Sequence, residues 1–247
     1  MDSLRFEGVR KRFASHEVLQ GLSFSVRRGE FFAFVGANGQ GKTTLIKGLL
    51  DFIRMDGGQI CIHGIDHRET RARGGLAYLP ERFTPPYFLK GGEFLRYVTQ
   101  LHRQPFDWDR VVETLTALDL DVAALEQPVR SYSKGMTQKL GLAGAFLSGR
   151  ELLVLDEPMS GLDPKARVLL KRRLLALKGE GRTLFFSTHL LADVEELCDR
   201  MAILHQGHLR FDGSPAACRS DYPGNTLEES FIRCISSERK EMSCESA

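Results

Sequence analysis

A lysine follows a glycine-rich run near the start of the chain, in residues 36–43, GANGQGKT. This spacing matches the P-loop pattern GxxxxGK[ST], and the wholly apolar residues 31–35 come directly before it. Glycines let backbone N–H groups converge on phosphate oxygens, and a helix that starts there adds the positive end of its dipole. The pattern predicts that Lys42 reaches the β- and γ-phosphates of a nucleotide and that Thr43 ligates magnesium. The alternative is a glycine-rich turn that carries a lysine by chance, and the flanking strand and helix argue against it.

Two adjacent carboxylates, Asp156 and Glu157, follow a second apolar run, LLVL at residues 152–155. Ligands of α/β sheets bind beyond the carboxyl ends of the strands, where this pair would lie. We predict that Asp156 holds magnesium, directly or through water, and that Glu157 polarises the attacking water. Acidic residues after strands are also common in turns, so the pair is informative because a P-loop precedes it in the same chain.

A third candidate, YSKGMTQK at residues 132–139, comes just before a predicted helix. Ser133 is a natural N-cap residue. Its hydroxyl and the Gly135 amide could bind a γ-phosphate at the start of that helix. The alternative is an ordinary capped helix, and the motif alone does not decide between the two.

Short strands and crossover helices must position these residues. Strand-like runs at residues 22–26, 31–35, 59–63, 76–79, 152–155 and 183–187 alternate with helical patterns at residues 43–52 and 164–177. Strand–helix–strand alternation implies a parallel sheet. Helical periodicity between residues 87 and 149 predicts a helical insertion, and residues 201–211 predict a late hairpin that turns at Gln206-Gly207.

The order of the motifs resembles that of the ATP-binding cassette (ABC) family. Residues 132–139 resemble its LSGGQ signature in a variant form, SGLD at residues 160–163 resembles its D-loop, and His189 in STH resembles its switch histidine. The resemblance covers about residues 4–213. It implies an α/β fold: a P-loop NTPase parallel-sheet core with an antiparallel β subdomain and an inserted α-helical subdomain. We expect the ATPase domain to span residues 1–222, with the helical insertion at about 87–149 and a short polar C-terminal segment at 223–247 that is flexible at its end.

The resemblance also implies roles for single residues. Two ATP molecules would be sandwiched in a head-to-tail dimer of this chain, or of this chain with a paralogue. Phe13 would stack on adenine; the alternative is a core phenylalanine of the β region. The implied ATP contacts are Phe13, Gly36, Asn38, Gly39, Gly41, Lys42, Thr43, Thr44, Ser133, Gly135 and Asp163. The implied catalytic residues are Glu157, His189 and Lys42, and the implied magnesium ligands are Thr43, Asp156 and Glu81.

Two positions depart from the family pattern. Glu81 stands after Leu79-Pro80 where the family has the Q-loop glutamine. A carboxylate can still ligand magnesium, but it cannot donate a hydrogen bond. In the signature, Lys134 and Met136 replace glycine and glutamine. Since Ser133 and Gly135 are kept, we expect activity to survive both changes.

Composition bears on location and partners. The net charge is only +2, so no nucleic-acid partner is expected. The five cysteines are scattered without a CxxC pair, which fits free thiols in a reducing compartment. The chain shows no signal-peptide pattern and no run of about eighteen apolar residues. We therefore expect a cytoplasmic protein that reaches the cytoplasmic face of the cell membrane through a partner.

The resemblance favours the magnesium-dependent ATPase subunit of a transporter whose permease is a separate chain, most similar to bacterial exporters. The alternative is a soluble ABC ATPase acting in translation or DNA repair. A catalytically inactive regulator is argued against by the presence of Lys42, Asp156, Glu157 and His189. The aromatic segment at residues 82–89 is predicted either to contact the permease or to pack the helical subdomain; its aromatic residues are Phe83, Tyr87 and Phe88.

Overall fold

The computed structural model describes residues 1–237. This part of the chain contains ten strands and eight α-helices. The strands are β1 Asp2–Phe13, β2 His16–Arg27, β3 Phe31–Val35, β4 Gly57–Ile62, β5 Ile65–Asp66, β6 Leu76–Leu79, β7 Leu152–Asp156, β8 Thr183–Thr188, β9 Arg200–His205 and β10 His208–Gly213. The helices are α1 Lys42–Leu49, α2 Gly91–Leu101, α3 Trp108–Ala117, α4 Lys134–Leu147, α5 Pro164–Gly179, α6 Leu191–Leu197, α7 Pro215–Asp221 and α8 Leu227–Ser236.

The strands form two sheets. The first is antiparallel, in the order β2-β1-β4-β5. The second has the order β10-β9-β3-β8-β7-β6, and its neighbours are parallel except for β10, which runs antiparallel to β9. β3, β7 and β8 are buried along their whole length, as strands with both faces covered must be. The predicted fold class, a parallel P-loop core with an antiparallel subdomain and an inserted helical subdomain, is confirmed.

The larger sheet has a separate apolar core on each face. Phe32 and Phe34 of β3 point towards the antiparallel sheet and α1, and their rings stack with that of Phe24. Phe31 and Val35 of the same strand point to the opposite face, towards the other helices. This period-two alternation ties β3 to both layers and holds its carboxyl end, where the P-loop begins, between them.

Helices α2, α3 and α4 lie between β6 and β7 in the chain, where the sequence predicted a helical insertion. The last ten residues of α4, from Gln138 to Leu147, are all buried, so this helix joins the insertion to the core. α4 begins beside the turn that follows β7: a Cβ atom on Gly135 would lie 3.3 Å from the carbonyl oxygen of Gly161.

The end of the described chain is more structured than its polar composition suggested. β9 and β10 form the predicted hairpin, with positive φ at Gln206 and Gly207 as a tight two-residue turn requires. Helix α8 follows at Leu227–Ser236, buries one face, and packs against α6 and α7. The expectation of a flexible end falls on residues 238–247, outside the described residues. Within residues 1–237, no helix combines the length and apolar character that a bilayer crossing requires.

Candidate functional site

The P-loop links the end of β3 to the start of α1, and two of its positions have room only for glycine. Gly41 has φ of 107°, and a Cβ atom there would lie 2.8 Å from Val18 Cγ1. A Cβ atom on Gly36 would lie 2.8 Å from the backbone oxygen of Leu204. Gly41 caps α1 without a side chain, so the first N–H groups of the helix lack a capping partner within the chain. Such an end binds an anion well.

Lys42 is held over this loop by oxygen atoms. Its Nζ atom donates hydrogen bonds to the backbone oxygens of Gly36, at 2.6 Å, and Ala37, at 3.3 Å. Its third neighbour is Glu157 Oε1, at 3.3 Å. Both charged side chains are more than nine-tenths buried, which strengthens their attraction. The predicted phosphate-binding lysine and the predicted base are thus in direct contact.

Asp156 ends β7 with one oxygen satisfied and one free. Its Oδ1 atom accepts a hydrogen bond from the Ser187 hydroxyl, whereas Oδ2 is buried and has no hydrogen-bond partner. Burial raises the pKa of Asp156; the hydroxyls of Ser187 and Thr43 oppose that shift, and the carboxylates of Glu81 and Glu157 add to it. An unsatisfied buried carboxylate oxygen beside a threonine hydroxyl suits a hard cation such as Mg²⁺. No cluster of three acidic, histidine or cysteine side chains that could hold a metal occurs within residues 1–237.

Glu157 and His189 form the second contact pair of the site. His189 Nδ1 lies 2.9 Å from Glu157 Oε2. Glu157 adopts φ of 48°, a left-handed backbone that is unfavourable for a residue other than glycine. Its amide N–H donates to Ser187 Oγ at 3.0 Å and to the Ser187 backbone oxygen at 3.2 Å, which holds that conformation. Strained backbone held by its surroundings is common at functional sites.

An open cleft of about 360 Å³ lies beside Lys42 and Glu157, whereas Asp156 and His189 are not among its lining residues. Its lining residues are Asn38, Gly39, Gly41, Lys42, Thr43, Thr44, Glu81 and Glu157. The structure therefore brings most of the predicted P-loop contacts together with Glu81 and the predicted base. Gly36 does not line the cleft, but its backbone oxygen accepts a hydrogen bond from Lys42 Nζ.

Besides Gly36, four predicted ATP contacts lie outside the lining of this cleft. Ser133 caps α4, where its Oγ accepts a hydrogen bond from the Met136 amide at 3.2 Å, and Gly135 is in the first turn of that helix. Asp163 caps α5 in the same way, accepting from the Ala166 amide at 2.9 Å. The fourth, Phe13, is 47% exposed at the end of β1, where Lys11 Nζ lies 5.1 Å from its ring centroid.

Two buried polar residues of the site were not singled out from the sequence. Ser187 contacts both acidic residues, as described above. Gln138 of α4 donates from Nε2 to the backbone oxygen of Pro158 at 3.0 Å, which connects the signature helix to the segment after the acidic pair. For Ser187 the available signal was a polar residue at the end of an apolar run, whereas Gln138 stands between Thr137 and Lys139 and gave no such signal.

A P-loop after β3 that faces an acidic pair at the end of β7, two strands away in the same parallel sheet, defines a P-loop nucleotide-binding protein. The family model described as ABC transporter matches residues 19–160. An uncharacterised ABC transporter ATP-binding protein of Synechocystis sp. is 45% identical over 81% of this chain and 57% of its own length. Nod factor export ATP-binding protein I of Rhizobium sp. is 36% identical over 91% of this chain and 75% of its own length.

A solved structure of the ATP-binding subunit of an ABC transporter superposes with a TM-score of 0.84 at 30% identity, covering 94% of this chain and 98% of the other. The chain belongs to the family of ABC transporter ATP-binding proteins. The match covers 57% of the length of the Synechocystis relative and 59% of a similar relative from Nostoc sp., so the chain spans less than two thirds of these cyanobacterial proteins.

Proposed function

We propose that this chain binds ATP with magnesium and hydrolyses it to drive transport through a membrane-spanning permease on a separate chain. The observation that carries the proposal is the cleft in which the P-loop, Lys42 and Glu157 meet. Free helix N–H groups and a lysine suit the phosphates, and a buried carboxylate beside them suits a base. The family assignment supports ATP as the nucleotide.

The residues present fit a magnesium ion. Thr43 and Asp156 would hold it through a hydroxyl and the unpartnered Oδ2 atom, and Glu81 lies at the same cleft. Bound Mg²⁺ neutralises phosphate charge and polarises the phosphoryl group. Glu81 fits as a ligand or as an acceptor for a bound water, but it adds a third carboxylate to the site.

Hydrolysis needs a base that is close to the phosphates and correctly oriented. Glu157 takes a proton from water as the water oxygen bonds to the γ-phosphorus and the bond to the β–γ bridging oxygen breaks, giving ADP and phosphate. Lys42 balances the phosphate charge. His189, 2.9 Å from Glu157 and about half exposed, orients that carboxylate.

A second copy of this chain, or a paralogue, completes each ATP site in this proposal. Ser133 and Gly135 carry the helix-end chemistry for a phosphate, yet they lie outside the cleft of their own chain. In a head-to-tail dimer they would close the cleft of the partner, with Asp163 at the interface. Phe13 keeps an exposed face on which adenine could stack.

The aromatic segment after Glu81 supports a membrane partner. Tyr87 and Phe88 are 69% and 70% exposed, and large exposed aromatic side chains are typical of contact surfaces. We propose that these two residues contact the permease at the cytoplasmic face of the membrane. Relatives named as Nod factor export ATP-binding proteins support export as the direction.

The test is affinity purification of the tagged Glu157→Gln chain from detergent-solubilised native membranes with ATP present. We expect a multi-span membrane protein in stoichiometric amount. Glu151→Gln, a change at an exposed carboxylate, serves as the matched control and should capture less because ATP is consumed. Recovery of ribosomes, DNA-repair proteins or a dimer alone would instead favour a soluble ABC ATPase.

A further inference from the structure

Ser187 is a buried hydroxyl that touches both acidic residues of the site. It lies next to the carboxyl end of β8 and is fully buried. Its Oγ atom donates to Asp156 Oδ1 and accepts from the Glu157 amide at 3.0 Å. Within residues 1–237, no other side chain makes hydrogen bonds to both of these residues.

Strand register explains why the contact forms. β7 and β8 are parallel neighbours, and Asp156 is paired with Ser187 in their ladder. Paired residues of neighbouring strands point to the same face, so the two side chains emerge together. Two residues earlier on each strand, Val154 and Phe185 lie in the apolar core on that face, which also holds α1. The register therefore aims Asp156 and Ser187 at the start of α1, where Thr43 lies.

The direction of each hydrogen bond is determined by the groups involved. The Glu157 amide can only donate, so Ser187 Oγ accepts from it. The single hydroxyl proton of Ser187 is then left for the Asp156 carboxylate, which accepts when ionised. Because Oδ1 of Asp156 accepts the hydrogen bond from Ser187, Oδ2 remains the oxygen without a hydrogen-bond partner. One hydroxyl thus decides which carboxylate oxygen is free and stabilises the strained backbone of the next residue.

We propose that Ser187 is a positioning residue for ATP hydrolysis, which orients Asp156 towards the metal and holds the Glu157 backbone in place. This inference rests on the proposed ATPase function. In this proposal Ser187 acts through Asp156 and Glu157 and not by direct contact with nucleotide or metal. Hydrogen-bond partners of metal-ligating groups have this role in many sites, and their loss typically costs about 10–100-fold in metal affinity or activity.

A purely structural buried hydroxyl would behave differently, and β8 supplies one for comparison. Thr183, at the opposite end of the strand, is 2% exposed; its Oγ1 accepts from the Gly29 amide at 2.9 Å and lies 3.3 Å from Ser3 Oγ. It makes a similar number of hydrogen bonds far from the cleft. Thr183→Ala is therefore the matched control for loss of a buried hydroxyl from this strand.

The experiment measures binding of the non-hydrolysable analogue adenylyl imidodiphosphate, with Mg²⁺ and with EDTA, together with kcat for ATP. For Ser187→Ala we expect unchanged affinity in EDTA, loss of about tenfold or more of the tightening by Mg²⁺, and a similar fall in kcat. Ser187→Thr keeps the hydroxyl and should recover most of both. If the alanine chain does not fold, Ser187→Cys takes its place. Its thiol fills the site but is only a weak donor, so we expect the same losses.

The outcomes separate this inference from the proposed function. If the wild-type chain neither hydrolyses ATP nor binds the analogue more tightly with Mg²⁺, the proposed function fails. If the wild-type chain does both and Ser187→Ala matches wild type and Thr183→Ala, the positioning role is wrong and the proposed function stands. Equal loss of affinity with Mg²⁺ and with EDTA would also overturn the role, because it would indicate general damage to the cleft.

Discussion

At the scale of single residues, the contact between Lys42 and Glu157 is the feature of the candidate site that bears most on the proposed reaction. Lys42 binds two loop carbonyls and the Glu157 carboxylate in a nearly dry environment. We expect the phosphates of ATP to replace Glu157 as the anionic partner of Lys42, since charge-assisted hydrogen bonds to phosphate are strong. Glu157 Oε1, which has no hydrogen bond, would then be free to accept the proton of water.

Glu157→Gln tests this assignment directly. We expect the rate of ATP hydrolysis to fall by about 10²–10⁴-fold, because an amide cannot act as the base. ATP binding should persist or tighten, because Lys42 loses a competing anion. Phosphate release and equilibrium ATP binding measure the two effects, with Glu151→Gln as the control. Hydrolysis at the wild-type rate would show that Glu157 is not the base.

At the scale of elements, the aromatic segment after β6 divides into two parts. Phe83 packs edge-on against Phe94 of α2 at 5.5 Å and covers Gly141 of α4, where a Cβ atom would lie 2.8 Å from its ring. Tyr87 and Phe88 contact each other at 5.8 Å and remain exposed. Of the two interpretations drawn from the sequence, packing within the helical subdomain therefore applies to Phe83. Contact with the permease remains a proposal for Tyr87 and Phe88.

Alanine substitutions should separate the two parts. Phe83→Ala should lower the free energy of unfolding by about 2 kcal/mol, less than for a fully buried phenylalanine because Phe83 is only partly buried. The double change Tyr87→Ala and Phe88→Ala should alter that free energy by less than about 1 kcal/mol but weaken permease capture. Denaturant unfolding and co-purification measure these effects. Unchanged capture by the double variant would contradict the docking proposal.

At the scale of the whole molecule, the residues that we propose to bind ATP fall into two separate groups on one chain. The P-loop and Glu157 line one cleft, whereas Ser133 and Gly135 lie at the start of α4 outside it. Gln138 ties the same helix to the segment that follows the acidic pair. A head-to-tail dimer would bring the two groups together and make both sites depend on both chains.

Mixing two inactive variants tests this arrangement. Lys42→Ala lacks a working P-loop, and Ser133→Arg blocks the signature, so each dimer of one variant should be inactive. A mixed dimer pairs the intact P-loop of the second with the intact signature of the first. Random pairing should recover roughly a quarter of the wild-type ATPase rate if one site suffices. No recovery on mixing, with both chains folded, would contradict composite sites.

Continuous or alternating patterns of nearby residues predicted much of the fold. β3 and β6 occupy the predicted residues 31–35 and 76–79, because short apolar runs bounded by turns leave little choice of element. α1 was predicted over residues 43–52 but ends at Leu49, since Asp51 adopts a positive φ that stops the helix. α8 was not predicted, because its polar composition hides the one face that it buries.

The sequence by itself determined the local parts of the site: the glycine path of the P-loop, the acidic pair after an apolar strand, and the serine cap of α4. These depend on neighbours in the chain, and local sterics and capping act over a few residues. Only the tertiary structure decided which distant groups meet. Lys42 contacts Glu157, and Ser187 contacts Asp156, because parallel strand register and sheet order place them together, and no local pattern encodes that register.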